Sequence, residues 1–280
     1  MNSDASQPSF EDSRVVIFTD LDGTLLDYYT YSCEVVMPLV EKLKRAGIEI
    51  VLCSSKTRAE MEVYRGGLGL ETPFIVENGS AVFIGKDCFP FPYEYNQIIG
   101  NYRVIELGIT YREVRRILEN ARRESNLSFR GFGDMDDAQV AALTGLDMAS
   151  AKRACQREYS ETLEVSGSEV DTSHILNKIK DAGLNWSRGS RLYSVTGGSD
   201  KGIAARVLTD FYRKKLGRIK TIGVGDSFND EPMLSEVDFP VLVQKPGGFW
   251  EEIELPNLCK INGVGPRGWV KAVQNITGIS

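Results

Sequence analysis

Paired cysteines are missing from this 280-residue sequence. Its five cysteines (Cys33, Cys53, Cys88, Cys155 and Cys259) are odd in number, widely scattered and never spaced Cys-x-x-Cys. Neither a disulfide framework nor a zinc site is expected from them. Cys53, inside an apolar run, reads as a small buried residue. Histidine is nearly absent: His174 is the only one, and it is expected on a solvent-facing helix position. There is no clustered basic tract either. The densest basic stretch, Arg112 to Arg123, is interleaved with Glu113 and Glu119 and reads as a solvated helix face; with a net charge of −6 this argues against a nucleic-acid partner. No apolar run approaches membrane-spanning length, so no membrane partner is expected. Residues 1–13, MNSDASQPSFEDS, lack a basic region followed by an apolar core and read as a flexible tail, not a signal peptide. A reduced, cytoplasmic location is the resulting expectation.

The composition that remains, 42% hydrophobic and 26% charged, is that of a globular chain large enough for one large or two medium domains. Its most informative stretch is VVIFTDLDGT, Val15 to Thr24. Val15 to Phe18 predict a buried strand, and the Gly23 turn ends it. Strand alternation puts Asp20 and Asp22 on one side at the strand's carboxyl end, where open α/β sheets bind ligands. Carboxylates this close repel, which calls for a proton on one or a cation between them. Mg²⁺ suits the pair, since it shares its shell with carboxylates, water and phosphate. An EF-hand loop is excluded: its twelfth position is Tyr31, not Glu, and a strand precedes the loop.

Down the chain, Glu34 to Arg45 has helical spacing, Ile48 to Cys53 is a second buried strand, and Thr57 or Ser55 is placed to cap a helix from Arg58. Phe74 to Val76 is a third strand, with a hairpin through Ala81 to Ile84. Strand, helix, parallel strand is the unit of a doubly wound sheet. From 91 to 196 the texture changes to mixed order: a strand at Tyr102–Leu107 and a helix at Tyr111–Arg123, then shorter helices at Asp134–Gly145 and Met148–Tyr159. Glu161–Val165 is strand-like, Asp171–Ala182 is helical with Asp171 or Thr172 as cap, and Arg191–Thr196 is a last strand. This predicts an α+β insert with an antiparallel sheet. The α/β pattern resumes with a helix at Lys201–Leu216, a strand at Ile219–Val224, the string GDSFND, a strand at Pro240–Val243 and a helix at Pro266–Ile276. The fold class is therefore α/β, with a doubly wound parallel-sheet core (14–90 and 197–280) and an inserted α+β unit (91–196).

Four polar stations stand at strand ends or helix starts: Asp20/Asp22, Ser54, Lys201 and Asp226/Asp230. Each alone reads as a turn or cap. Together, in this order, they resemble the four motifs of the haloacid dehalogenase superfamily of aspartyl-phosphate phosphotransferases, over nearly the whole stretch from Val15 to Val243. The resemblance implies that Asp20 is the nucleophile and that Asp22 is the general acid and then the base. It implies that Ser54 and Lys201 hold phosphoryl oxygens, and that Asp226, with Asp20 and the Asp22 carbonyl, holds Mg²⁺. Asp230 would be a ligand through water or an orienter. Phosphoryl transfer asks chiefly for alignment and positive charge at the equatorial oxygens, which this set supplies.

The insert resembles the type IIB cap of that superfamily, a lid that excludes water and selects the leaving group. Within type IIB, GFGDMDDAQVAALTGL (Gly131 to Leu146), WSRGSRLYSVTGGSDKG (Trp186 to Gly202) and CSSKTRAE (Cys53 to Glu60) are similar to the mannosyl-3-phosphoglycerate phosphatase family. This implies a small phosphorylated sugar, a glycosyl phosphoglycerate, as substrate. Arg188 and Arg191 are then the expected partners of the glycerate carboxylate, since Arg offers a planar fork. Glu77 and Asn78 are expected at sugar hydroxyls, and Ser55, Lys56 and Asn229 elsewhere on the substrate. Phosphomannomutase and sucrose-phosphate phosphatase carry similar motifs; a phospho-receiver or a silent sugar-phosphate sensor are the non-enzymatic alternatives, against which the insert and the full catalytic set argue.

Overall fold

The computed structural model describes residues 14–280 except Asn126, Ser190 and Arg191. The expected tail, 1–13, and the proposed carboxylate partner Arg191 therefore lie outside the described residues.

The first half of the core runs β1 (Arg14–Thr19), α1 (Met37–Arg45), β2 (Glu49–Cys53), α2 (Arg58–Leu68), β3 (Phe74–Val76), β4 (Ala81–Gly85), β5 (Gln97–Ile99) and β6 (Tyr102–Glu106). The insert follows as α3 (Tyr111–Ser125), β7 (Phe129–Gly131), α4 (Asp137–Thr144), α5 (Met148–Ala154), β8 (Glu161–Val165), α6 (Glu169–Asp181), β9 (Asn185–Arg188) and β10 (Tyr193–Thr196). The core then resumes with α7 (Lys201–Leu216), β11 (Ile219–Gly225), α8 (Glu231–Ser235), β12 (Phe239–Gln244), β13 (Cys259–Val264) and α9 (Gly265–Thr277).

The large sheet has the order β13-β12-β11-β1-β2-β3-β4-β6-β5, parallel from β13 to β3 and antiparallel beyond. This bears out the α/β, doubly wound class. Period-2 alternation divides β1 between two cores. Val15 and Ile17 pack on one face with Leu39, Leu43 and Trp269; Val16 and Phe18 pack on the other with Ala204, Leu208 and Tyr212. Cys53 is buried and His174 exposed, as expected.

The insert is smaller than its expected span. β6 pairs with β4 along its whole length, Ala81 with Glu106 through Gly85 with Tyr102, and so covers an edge that β4 would leave open. Residues 97–106 thus extend the large sheet, and the inserted unit begins after them, not at 91. The outgoing and returning chains cross side by side, where the Ile109 N–H donates to the Gly197 carbonyl. The insert's own antiparallel sheet, β7-β8-β10-β9, packs Leu163 and Val195 on one face against Val114 and Leu118 of α3 and Ile175 and Ile179 of α6.

Several ends moved for local reasons. Thr57 caps α2 in a reciprocal box with Glu60, an arrangement worth about 1 kcal/mol. α6 is capped by Ser168 in place of Asp171 or Thr172, because the Asp171 carboxylate turns back to close the box on Ser168. α1 starts late, at Met37 ahead of Pro38. Strands β5, β7, β9 and β13 are short or edge-bound and carry weak alternation. No helix among the described residues is long and apolar enough to cross a membrane.

Candidate active site

Adjacent strands β1 and β11 leave the sheet on either side of the point where the strand order reverses, and each ends in a carboxylate. Asp20 follows β1, its N–H held by the Val224 carbonyl. Asp226 follows β11. The turn after β1 needs Gly23, at φ 78°, where a Cβ would stand 2.9 Å from Asp226 Oδ2. Thr24 donates its hydroxyl to Asp226 Oδ1 (3.1 Å) and Ser227 to Oδ2 (2.9 Å).

Lys201 opens α7, which Asp200 caps through the Ile203 N–H. Its ammonium is fully buried and donates to Asp20 Oδ1 (2.6 Å) and Asp230 Oδ1 (2.7 Å). The other Asp230 oxygen accepts the N–H groups of Asp226 and Ser227. Carboxylate oxygens of Asp20, Asp226 and Asp230 lie within 4.8 Å of one another. Burial pushes the Asp20 carboxyl well above its ordinary range, the charge of Asp230 pushes it further, and Lys201 opposes both. Asp226 is raised to about 7, by burial and then by Asp230. Burial alone would lower the Lys201 ammonium, but Asp20 and Asp230 raise it above normal, so it stays charged. Three buried carboxylates against one ammonium leave negative charge in excess, and oxygen-only donors in this number fit a hard divalent cation such as Mg²⁺. Asp230 is engaged by the Lys201 ammonium and two backbone N–H groups, Asp226 by two hydroxyls, and Asp20 by the Lys201 ammonium on one oxygen.

Ser54 is buried at the end of β2, and its hydroxyl accepts from the Lys56 N–H. Lys56 curls back: its ammonium lies 3.0 Å from Asp22 Oδ1 and 3.6 Å from Glu60, under the rings of Tyr31 and Tyr64. Burial opposes its charge, and Asp22 and Glu60 outweigh burial.

Asp20, Asp22, Lys56 and Asp226 form the floor of a cavity of about 870 Å³ roofed by the insert, with Ser54, Lys201 and Asp230 buried behind that floor. Asp20, Asp22, Ser55, Lys56, Asn78 and Asn229 line it, and Arg188 reaches its edge. Arg188 points from the opposite sheet face, its guanidinium 6.0 Å over the Tyr193 ring. Asn229 donates to the Asn78 side-chain carbonyl (3.2 Å), and Asn78 donates to Ser187 of the insert (3.4 Å).

Glu77 departs from the expectation of a sugar-binding role. It is fully buried, and its carboxylate accepts the N–H groups of Glu158, Tyr159 and Ser160 and the Ser160 hydroxyl. The reason is backbone geometry: Glu77 and Asn78 both take left-handed φ, 49° and 57°, which aims successive side chains apart. Glu77 therefore ties the insert to the core, and only Asn78 faces the cavity. Arg157, a residue that sequence reasoning missed, completes the tie by donating to the Ser55 carbonyl (2.8 Å) while lining the cavity. Thr24 and Ser227, the supports of Asp226, were missed as well; Ser227 adjoins Asp226 and Thr24 lies two residues after Asp22, which was the available signal.

Comparison with known proteins gives a consistent picture. Residues 17–95 match a family described as haloacid dehalogenase-like hydrolase. The chain is 45% identical to a glucosyl-3-phosphoglycerate/mannosyl-3-phosphoglycerate phosphatase of Methanococcoides burtonii over 264 residues, 94% of this chain and 97% of that one. It is 42% identical to a mannosyl-3-phosphoglycerate phosphatase of Pyrococcus horikoshii over 228 residues, 81% of this chain and 90% of that one. Among solved structures, a phosphatase of the haloalkanoate enzyme superfamily from Bacteroides thetaiotaomicron shares the fold. Its TM-score is 0.66 at 17% identity, over 99% of this chain and 100% of that one.

Proposed function

The chain belongs to the mannosyl-3-phosphoglycerate phosphatase family of haloacid dehalogenase-like hydrolases, and from that premise we propose that this phosphatase hydrolyses mannosyl-3-phosphoglycerate to mannosylglycerate and phosphate. The observation that carries the reading is the convergence of Asp20 and Asp226, at the floor of the cavity, with Lys201 and Asp230 buried directly behind them.

Asp20 attacks phosphorus and takes the phosphoryl group onto its carboxylate, which splits hydrolysis into two displacements. Asp22, two residues on and held by Lys56, gives a proton to the leaving glycerate oxygen and takes one from the attacking water in the second step. Lys201 keeps Asp20 oriented, and the Ser54 hydroxyl holds a phosphoryl oxygen. Asp20 and Asp226, with the Asp22 carbonyl, would hold Mg²⁺, and Asp230 would orient the group from behind. When bound, the ion supplies positive charge against the phosphoryl oxygens. The lid tied down by Glu77 and Arg157 keeps bulk water away from the acyl phosphate. Arg188 meets the glycerate carboxylate, and Asn78 and Asn229 meet hydroxyls.

The experiment is phosphate release from a panel of phosphorylated sugars and glycosyl phosphoglycerates, with Mg²⁺ and with chelator. Preference for mannosyl-3-phosphoglycerate supports the substrate. Preference for another sugar phosphate removes the substrate and leaves the reaction class; formation of an isomeric sugar phosphate without free phosphate indicates a mutase.

A further inference from the structure

Opposite the catalytic floor, the roof of the cavity is a face of the small antiparallel sheet. In β10, Ser194 is in register with Thr162 of β8 on one side and with Ser187 of β9 on the other. Residues directly opposite in a ladder project from the same face, with Cβ atoms about 5 Å apart. Thr162, Ser194 and Ser187 therefore form a row of three hydroxyls across three strands, and all three line the cavity. The flanking positions, Leu163, Val195 and Trp186, turn the other way into the cluster under α3 and α6.

Ser194 is 91% buried (9% exposed), yet among the described residues its hydroxyl has no hydrogen-bond partner. A buried hydroxyl left unpaired is costly, so natural proteins seldom keep one without a use for it. Ser187 accepts from Asn78 and retains its own hydroxyl proton to give. The row thus offers donors and acceptors at regular spacing, facing the volume that remains once a phosphoryl group occupies the floor.

We infer that Thr162, Ser194 and Ser187 are specificity-determining residues that read the hydroxyls of the leaving group's sugar ring. This rests on the substrate reading above and deepens it: a neutral polyol matches neutral hydroxyls, and the charged glycerate is left to Arg188 at the edge. Phe132, Leu146 and Leu192 beside the row cover the ring's C–H surface. The two ends of the leaving group are read by different chemistry.

The test uses the full chain with Mg²⁺ and two substrates, mannosyl-3-phosphoglycerate and p-nitrophenyl phosphate, which bears no hydroxyls. Ser194→Ala and Thr162→Val should each raise KM for the glycosyl substrate by roughly 3- to 10-fold, the worth of one neutral hydrogen bond. Their kcat should stay near wild type, and p-nitrophenyl phosphate hydrolysis should be unchanged. Ser194→Ala should melt no lower than wild type, since it removes an unpaired buried hydroxyl. Parallel losses on both substrates, or no loss on either, would overturn the assignment. If the wild-type chain prefers a different phosphorylated sugar, the substrate reading fails by itself, and the same comparison with that sugar decides the hydroxyl row separately.

Discussion

The Lys56 ammonium lies 3.0 Å from Asp22 Oδ1, inside a box made by Tyr31, Tyr64 and Glu60. Asp22 is the more exposed partner of the pair, so its side chain has room to swing unless Lys56 holds it. Of the roughly 10²- to 10⁴-fold that a well-placed proton donor supplies, Lys56→Met should forfeit about tenfold or more, in kcat more than in KM. Steady-state kinetics on a glycosyl phosphoglycerate checks this. A change confined to KM would make Lys56 a substrate ligand, not a support for Asp22.

Asp20→Asn keeps a hydrogen-bond acceptor for Lys201 and leaves Asp230 to balance its charge. The variant should fold and bind substrate but lose about 10³-fold or more of its turnover, as nucleophile deletions do where residues act as a unit. Near-normal phosphate release would remove Asp20 from the nucleophile role.

Glu77→Ala strips the acceptor from three backbone N–H groups and leaves Arg157 without its nearest carboxylate, 3.8 Å away. Glu77, Tyr159 and Ser160 are buried and Arg157 and Glu158 partly so, and the cost should be about 3 kcal/mol or more. Cleavage near 158–160 by protease should accelerate, whereas Glu77→Gln, which keeps one oxygen, should be milder. Equal denaturant midpoints for wild type and alanine variant would count against the tie between lid and core.

The raised carboxyls have a pH signature. Asp226 moves from an ordinary 3.8 to about 7, so the folded metal-free protein holds a proton that the unfolded chain releases. Stability from this source is complete below about pH 4 and declines as pH rises toward 7. A divalent ion takes the proton's place: with Mg²⁺ the decline should flatten, and Mg²⁺ binding near pH 6 should release protons. Denaturant melts at several pH values, with Mg²⁺ and with chelator, test this; an identical slope in both would place the ion elsewhere.

Much of the site was legible because each station is a local string. Asp20, Ser54 and Asp226 follow apolar strands whose ends must face the ligand-binding edge, and Thr57 and Lys201 start helices at the positions their neighbours dictate. Strands β5 and β13 were not legible, since short edge strands owe their existence to the partner they cover. The role of Glu77 escaped for a related reason: its hydrogen-bond partners lie 81 to 83 residues away.

From its order of residues alone, this chain determined a phosphoryl-transfer core, since strand, turn and helix propensities act over a handful of neighbours and put carboxylates at known ends. Tertiary structure alone decided which groups meet: Lys56 with Asp22, Glu77 with the lid, and three hydroxyls in one row. Those encounters depend on ladder register and on docking between distant segments, and a one-residue slip in β10 would turn Ser194 from the cavity to the helices.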